Sequence, residues 1–467
     1  MLPSPSRPLL SLLIGLVLCL LMPAQIEAQP PPIEGPSLDP GTAARLEALE
    51  RAVEERGETI EELREELEEL REDTEDAVSD VQDGQADADD QADAIWQELA
   101  RRMTFFGYST HFLRFQPEKD PYFRAFRVNI MFNAQVARRL RFFAELEFED
   151  PFVIGKPDGG FVEGEQGFIE LTLAPALALR AGMMLVPVTS FNLRHEGWRQ
   201  PFVTRPLMND RIFPSTYADV GVALFGTLYS GEDVQLGYQL MASNGLRTGM
   251  MSAYEETDGS MRISGKGLRS ARPDFQSDNN SGKSLAARLS LMAGEHLDFA
   301  MSGYWGPYRD DSSDSLYMAG ADLTLSFDAL RARIEGIYIG LESGTHPFTR
   351  DDGSVTDRIY PRNLIGGVAE VELRFFPSAL RETPLGEFDD PRFFVAFRAD
   401  YGRIHFRPLA SHPATTQTEL RASASIGYRP VQRSAIRLEY MQGFGDPDTK
   451  ISLGDSWEAH LSFALGY

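Results

Sequence analysis

From Met103 to the C-terminus, apolar and polar residues alternate with a period of two, the repeat of a β-strand whose two faces meet different surroundings. In the final stretch Trp457, Ala459, Leu461, Phe463, Leu465 and Tyr467 share one face, and Glu458, His460, Ser462, Ala464 and Gly466 share the other. Phe126, Val128, Ile130, Phe132, Ala134 and Val136 likewise oppose Arg127, Asn129, Met131, Asn133 and Gln135. Leu140, Phe142, Ala144, Leu146 and Phe148 oppose Arg141, Phe143, Glu145, Glu147 and Glu149. Phe393, Val395, Phe397, Ala399 and Tyr401 oppose Arg398 and Asp400.

The pattern predicts sixteen strands, near 103–115, 123–137, 139–149, 167–175, 177–188, 219–229, 233–244, 284–293, 295–306, 315–327, 329–342, 362–376, 391–404, 419–429, 434–444 and 456–467. Alternation alone fits a soluble sandwich as well as a barrel. Charges such as Arg398 and Glu458 on the second face decide for a barrel, because a sandwich core excludes them and a water-filled lumen solvates them. Strand lengths cluster near the ~10 residues that a tilted membrane-spanning strand needs. Short connections (Arg138, Ala176, Gly294, Asp328) alternate with long ones (189–218, 245–283, 343–361, 405–418), the asymmetry of an outer-membrane barrel; 377–390 is long on the short-turn side. The expected fold is therefore all-β, a 16-stranded antiparallel transmembrane barrel over 103–467, preceded by an α-helical coiled coil.

Upstream the period is 3.5. Leu46, Leu49, Val53, Arg56, Ile60, Leu63, Leu67, Leu70, Thr74, Ala77 and Val81 occupy heptad core positions, which predicts a coiled coil over 46–83. A single solvated helix is the competing reading. A Pro-rich linker over 29–45 precedes the coil, and a looser Asp/Ala/Gln linker over 84–102 follows it. Residues 1–28 read as a secretory signal peptide: Arg7, an apolar run from Leu9 to Met22, and a small residue, Ala28, at the cleavage point. That run is too short for a membrane-spanning helix.

Charge sharpens the division. Residues 41–102 hold 22 acidic and 7 basic side chains, whereas 103–467 hold 45 and 37. The net charge of -25 argues against nucleic acid as a partner. The single cysteine, Cys19, lies in the leader, so a thiolate metal site or cysteine nucleophile is excluded from the mature chain. The seven histidines show no metal-ligand spacing, and neither G-x-S-x-G nor a Walker loop occurs, so no catalytic residues, metal or cofactors are expected. Asp351-Asp352-Gly353 and Gly445-Asp446-Pro447-Asp448 read as solvated turns rather than calcium loops.

The segment 189–218 carries Arg194, His195, Arg199, Arg205 and Arg211 against only Glu196 and Asp210. By strand count it is the third external loop, which in sixteen-stranded porins folds inward and narrows the lumen. Arginines in a narrow, low-dielectric passage attract anions. Arg127, Arg141 and Arg180 on the neighbouring strands complete the candidate anion path. The alternative places this loop outside, its arginines paired with glutamates or lipopolysaccharide phosphates. After residue 156 the only lysines are Lys266, Lys283 and Lys450, so a cationic track must be built from arginine. Glu145, Glu147, Glu370 and Glu372 also face inward, which makes the lumen mixed.

The stretch Leu179-Arg180-Ala181-Gly182-Met183-Met184-Leu185-Val186-Pro187, the following Arg205-Pro206 and Phe213-Pro214, and then Asp219-Val220-Gly221 through Gly226 resemble the phosphate-selective porin O/P family. The motif residues are Gly182, Pro187, Asp219, Gly221 and Gly226. The resemblance implies a trimeric outer-membrane channel for small anions. Leu185 stands where that family often carries lysine, so phosphate selectivity is not carried over.

The resulting expectation is a non-enzymatic porin in the bacterial outer membrane, with its coil in the periplasm. Its partners would be membrane lipid, lipopolysaccharide, two further copies in a homotrimer, and small anions such as phosphate. In the alternative function the coil tethers the envelope and the barrel only anchors it.

Overall fold

The computed structural model describes residues 40–150, 161–247, 255–257, 260–262, 267–273, 275, 277–278, 280–342, 345–349, 355–407, 416–445 and 457–467. The leader 1–28, residues 29–39 of the Pro-rich stretch, and the acidic turns at 351–353 and 446–448 lie outside the described residues.

Sixteen antiparallel strands close a barrel in chain order. They are β1 Met103–Gln116, β2 Lys119–Ala137, β3 Leu140–Glu149, β4 Phe161–Ala174, β5 Leu177–Leu185 and β6 Ala218–Ser230. There follow β7 Val234–Ser243, β8 Ser284–Ala293, β9 Leu297–Pro307, β10 Ser315–Ser326 and β11 Leu330–Leu341. The last five are β12 Pro361–Phe375, β13 Arg392–Phe406, β14 Thr416–Arg429, β15 Ser434–Gly445 and β16 Trp457–Gly466. β1 closes on β16, with Tyr108 opposite Gly466. Gly107 and Tyr467 complete the seam by exchanging backbone N–H to carbonyl bonds of 3.0 and 2.9 Å.

The alternation has the predicted sense. Phe463 and Leu465 are about half exposed on the outer surface, while Glu458, His460 and Ser462 between them are buried inside. Two strand ends differ from expectation. β4 begins at Phe161 rather than 167, because Phe161–Gln166 pair with Glu149–Glu145 of β3. Their Glu- and Gly-rich sequence hides the period, and cross-strand pairing overrides that weak local preference. β5 stops at Leu185 rather than 188, because the chain turns into the lumen and buries Val186 and Val188 there. Small hairpins in two long loops (Glu255–Thr257 with Ser260–Arg262, and Thr345–Thr349 with Val355–Ile359) are too short to leave a readable period.

Helix α1 runs from Pro40 to Arg102, 63 residues, through the stretch expected as a linker over 84–102. Pro40 opens it, where the missing N–H costs nothing. Asp, Ala and Gln contain no breaker, and Gly84 alone costs only ~1 kcal/mol. Leu49, Val53, Leu63, Leu67 and Leu70 lie exposed along it. The chain divides into compact units at Asp93/Ala94, and no described helix is long and apolar enough to cross a membrane.

Candidate functional site: an arginine-lined passage

The segment from Val186 to Tyr217 lies inside the barrel. Asn192 cinches its two ends: Nδ2 donates to the carbonyls of Val186 (3.0 Å) and Tyr217 (3.1 Å), and Oδ1 accepts from the Tyr217 N–H at 2.8 Å. One side is apolar. Met208, Ile212 and Phe213 join Ile337, Leu364, Val368 and Ile404 of the wall in one buried cluster. The other side is polar, and wall charges satisfy its backbone. The N–H groups of Val203 (2.6 Å) and Thr204 (3.0 Å) donate to Glu439. Leu207 donates to Asp400 at 3.0 Å and Phe191 to Glu335 at 3.2 Å. Arg437 donates to the Gly197 carbonyl at 2.8 Å. A buried loop with unmet N–H groups would be unstable, so these contacts explain how an irregular segment survives in the lumen.

The apolar packing fills one side of the bore, and cavities lie along the other. A cavity of about 530 Å³ at the short-turn end is lined by Arg194, Arg199, Arg331, Arg333, Arg374, Arg392 and Arg429 against Glu372 and Asp390. A cavity of about 350 Å³ at the long-loop end is lined by Arg114, Arg124, Arg205, Arg211, Arg269 and Arg421 against Glu149, Asp210 and Glu458. A neck of about 30 Å³ lies between them. It shares Gln200 with the first cavity and Phe126, Val203, Thr204 and Arg205 with the second. That volume is on the scale of a single water molecule.

Arg127, Arg205, Arg398, Arg437 and His195 line the neck, with no carboxylate among its lining residues. Two of these arginines have a carboxylate partner: Arg127 with Glu147 at 3.2 Å, and Arg398 with Asp400 at 2.9 Å. Phe126 and Phe202 stack against the same two guanidinium groups, at 4.4 Å each. The other two are held by neutral groups. Arg205 donates to the Ser215 carbonyl at 2.8 Å, and Arg437 to the Gly197 carbonyl and to Ser462 Oγ at 3.2 Å. Among the described residues neither forms an ion pair. Two guanidinium groups without a direct carboxylate partner therefore line this small cavity, and a low-dielectric wall strengthens their field.

The predicted residues separate on this frame. Arg194 (with Asp298, 2.8 Å) and Arg199 (with Glu196, 3.0 Å) line the short-turn cavity, and Arg211 (with Asp210, 3.3 Å) lines the opposite one. Arg127, His195 and Arg205 reach the neck. Arg141 and Arg180 line none of these three cavities, because both clamp Glu170, at 2.6 and 2.8 Å. Arg398 and Arg437 were legible only as inward-facing residues of their strands; their place in the neck depends on barrel closure.

The motif residues shape the start and end of the loop. Gly182 adopts φ of 130°, opposite Gly221, and a Cβ there would come 2.3 Å from the Gly167 carbonyl. Pro187 is buried where the chain turns inward, and Gly226 lies further along β6. Asp219, at the start of β6, accepts the N–H groups of Val220 (2.7 Å) and Gly245 (2.6 Å).

No family model matches the chain. A protein of Aquifex aeolicus (strain VF5), described only as uncharacterized, is 26% identical over 327 residues, 68% of this chain and 69% of its own length. Among solved structures, the chain is similar to the outer membrane channel DcaP of Acinetobacter baumannii, at 11% identity and a TM-score of 0.45, covering 78% of this chain and 97% of that one. It is also similar to the anion-selective porin from Comamonas acidovorans (10% identity, TM-score 0.43, coverage 78% and 99%). The trimer form of OmpT of Vibrio cholerae gives 10% identity, a TM-score of 0.45 and coverage of 78% and 99%.

Proposed function

We propose that the chain is an outer-membrane porin that passes small anions by diffusion. The carrying observation is the series of arginine-lined cavities along the bore of a closed barrel whose outer face is apolar. A closed barrel leaves no unpaired strand edge, so its backbone is satisfied within lipid. An outer face carrying Phe105, Ile334, Leu438 and Phe463 favours hydrocarbon, at about 25 cal/mol per Å² removed from water. Arginine-lined cavities, and the Arg205 and Arg437 guanidinium groups without a carboxylate partner in the neck, suit solutes of negative charge. The reading stops at small anions as a class. The neck is built from arginine, without the lysine track that phosphate selectivity in the resembling family would imply.

In this reading the short-turn rim faces the periplasm, where the acidic helix also lies. Its exposed heptad stripe supports association between copies of the chain, and three copies is the number the resemblance implies. The length of the helix, about 95 Å at 1.5 Å per residue, favours a second role as a spacer or tether in the envelope.

Purified protein in planar lipid bilayers provides the test. Discrete, reproducible conductance steps are expected, and their absence from correctly folded protein contradicts the reading. A variant lacking residues 41–100 separates the two roles: unchanged conductance with lost cell-wall association supports the tether as well.

A further inference from the structure

We propose that Glu145, Glu165 and His195 form a divalent transition-metal site, of the kind that takes Zn²⁺, which staples the inward loop to the barrel wall. One ligand atom from each of these three buried side chains lies within 4.8 Å of the other two. His195 Nε2 is already 3.0 Å from a Glu165 oxygen, close to the roughly 3.3 Å that separates neighbouring ligands around a tetrahedral zinc ion.

Three features of the surroundings suit a cation. The first is backbone geometry. β3 and β4 slip register between Glu145 and Leu146, where Gln166 and Gly164 are the successive partners and Glu165 is the extra residue. Bulges redirect side chains, and this one turns Glu165 into the lumen beside the inward Gln166. The second is the surroundings of the ligand atoms. His195 Nδ1 lies 3.2 Å from the Asn192 carbonyl, which orients the ring with Nε2 toward the carboxylates. Gln166 donates to Glu145 at 2.7 Å, and Asn129 donates to Glu145 at 3.1 Å. Metal-bound imidazoles and carboxylates are typically held by such outer hydrogen bonds. The third is an unmet polar group. Asn129 is fully buried, its amide reaches both glutamates, and its Oδ1 has no hydrogen-bond partner.

Two carboxylates buried together repel each other, and a divalent ion bound to them and to neutral imidazole would leave the site neutral. The competing arrangement is an imidazolium paired with Glu165 alone. One histidine nitrogen and two carboxylate oxygens suit zinc and leave room for a further ligand. Because His195 also lines the neck, an ion here would tie the loop to the wall at that cavity and add positive charge beside the proposed solute path.

The test uses full-length protein in detergent, stripped with EDTA and titrated with Co²⁺ as a visible probe and then with Zn²⁺. The wild type should give d–d bands at one Co²⁺ per barrel, displaced by Zn²⁺, and Zn²⁺ should raise its thermal midpoint. His195→Gln should abolish the bands. Glu145→Gln keeps the His195–Glu165 contact that holds the loop, and should weaken binding by at least the roughly 10–100-fold that losing a hydrogen-bond partner of a ligand costs. Weak binding by the acidic helix gives no such bands and is unchanged in both variants. No bands in the wild type, or equal bands in the wild type and Glu145→Gln, overturn the site. Either result leaves the conductance reading untouched.

Discussion

Glu439 on β15 holds the backbone of Thr204, taking its N–H at 3.0 Å, and so fixes the tip of the inward loop against the wall. The same carboxylate accepts the Val203 N–H and lies 3.6 Å from Arg398. Hydrogen bonds to a buried charge are worth about 1.5–3 kcal/mol each. Glu439→Ala is therefore expected to loosen the loop by several times thermal energy. Single-channel recordings should show larger and noisier openings, while heat-modified mobility on gels still reports a folded barrel.

The neck arginines are not equivalent. A unit charge about 5 Å from a passing ion is worth ~3 kcal/mol at an effective dielectric near 20, before salt screening. Arg205 has no carboxylate partner among the described residues, whereas Arg141 is neutralised by Glu170 away from the passage. Arg205→Gln should lower the anion-to-cation permeability ratio several-fold, and Arg141→Gln should leave it unchanged. Equal effects would remove the assigned role of the unpaired neck charge.

Orientation of the strands predicts where a charge is tolerated. Ile334, near the middle of β11, is 58% exposed on the outer surface, while Ser326 lines the 530 Å³ cavity. Ile334→Arg should cost about 2–4 kcal/mol of stability in lipid. Ser326→Arg should cost little. Denaturant unfolding in liposomes compares the two directly.

The helix carries its own test. Leu63, Leu67 and Leu70 are more than half exposed on a single chain, and the charged pairs beside them, such as Arg71–Glu75 at 3.1 Å, are solvated and weak. In a coiled coil a stripe of this kind is buried against partner helices. Replacing the three leucines by Ser should abolish chemical cross-links between helices and leave conductance intact. Cross-linking that persists would contradict the coiled-coil assignment.

Much of this architecture was legible because the barrel writes a period of two into the sequence. Each of the sixteen expected strands has a counterpart, and Glu458 and His460 fall on the interior face as their alternation required. The inward loop could be located by counting strands and by its arginines. Its apolar seat could not, because Met208 and Ile212 meet Ile337 and Ile404 only after closure. The neck was hidden for the same reason: Arg127 and Arg437 lie far apart in sequence, and inter-strand register sets their approach. Glu165 was invisible because a bulge breaks the period at that residue. The heptad fades at Gly84, which suggests a linker over 84–102, yet α1 continues to Arg102 because neither Asp nor Ala stops a helix.

Under the proposed function, solutes cross at a neck whose net charge is positive. The reversal potential of wild-type channels across a KCl gradient reads that charge. A potential of the sign set by chloride is predicted, diminishing in Arg205→Gln. A potential set by potassium, unaltered by that substitution, would contradict it.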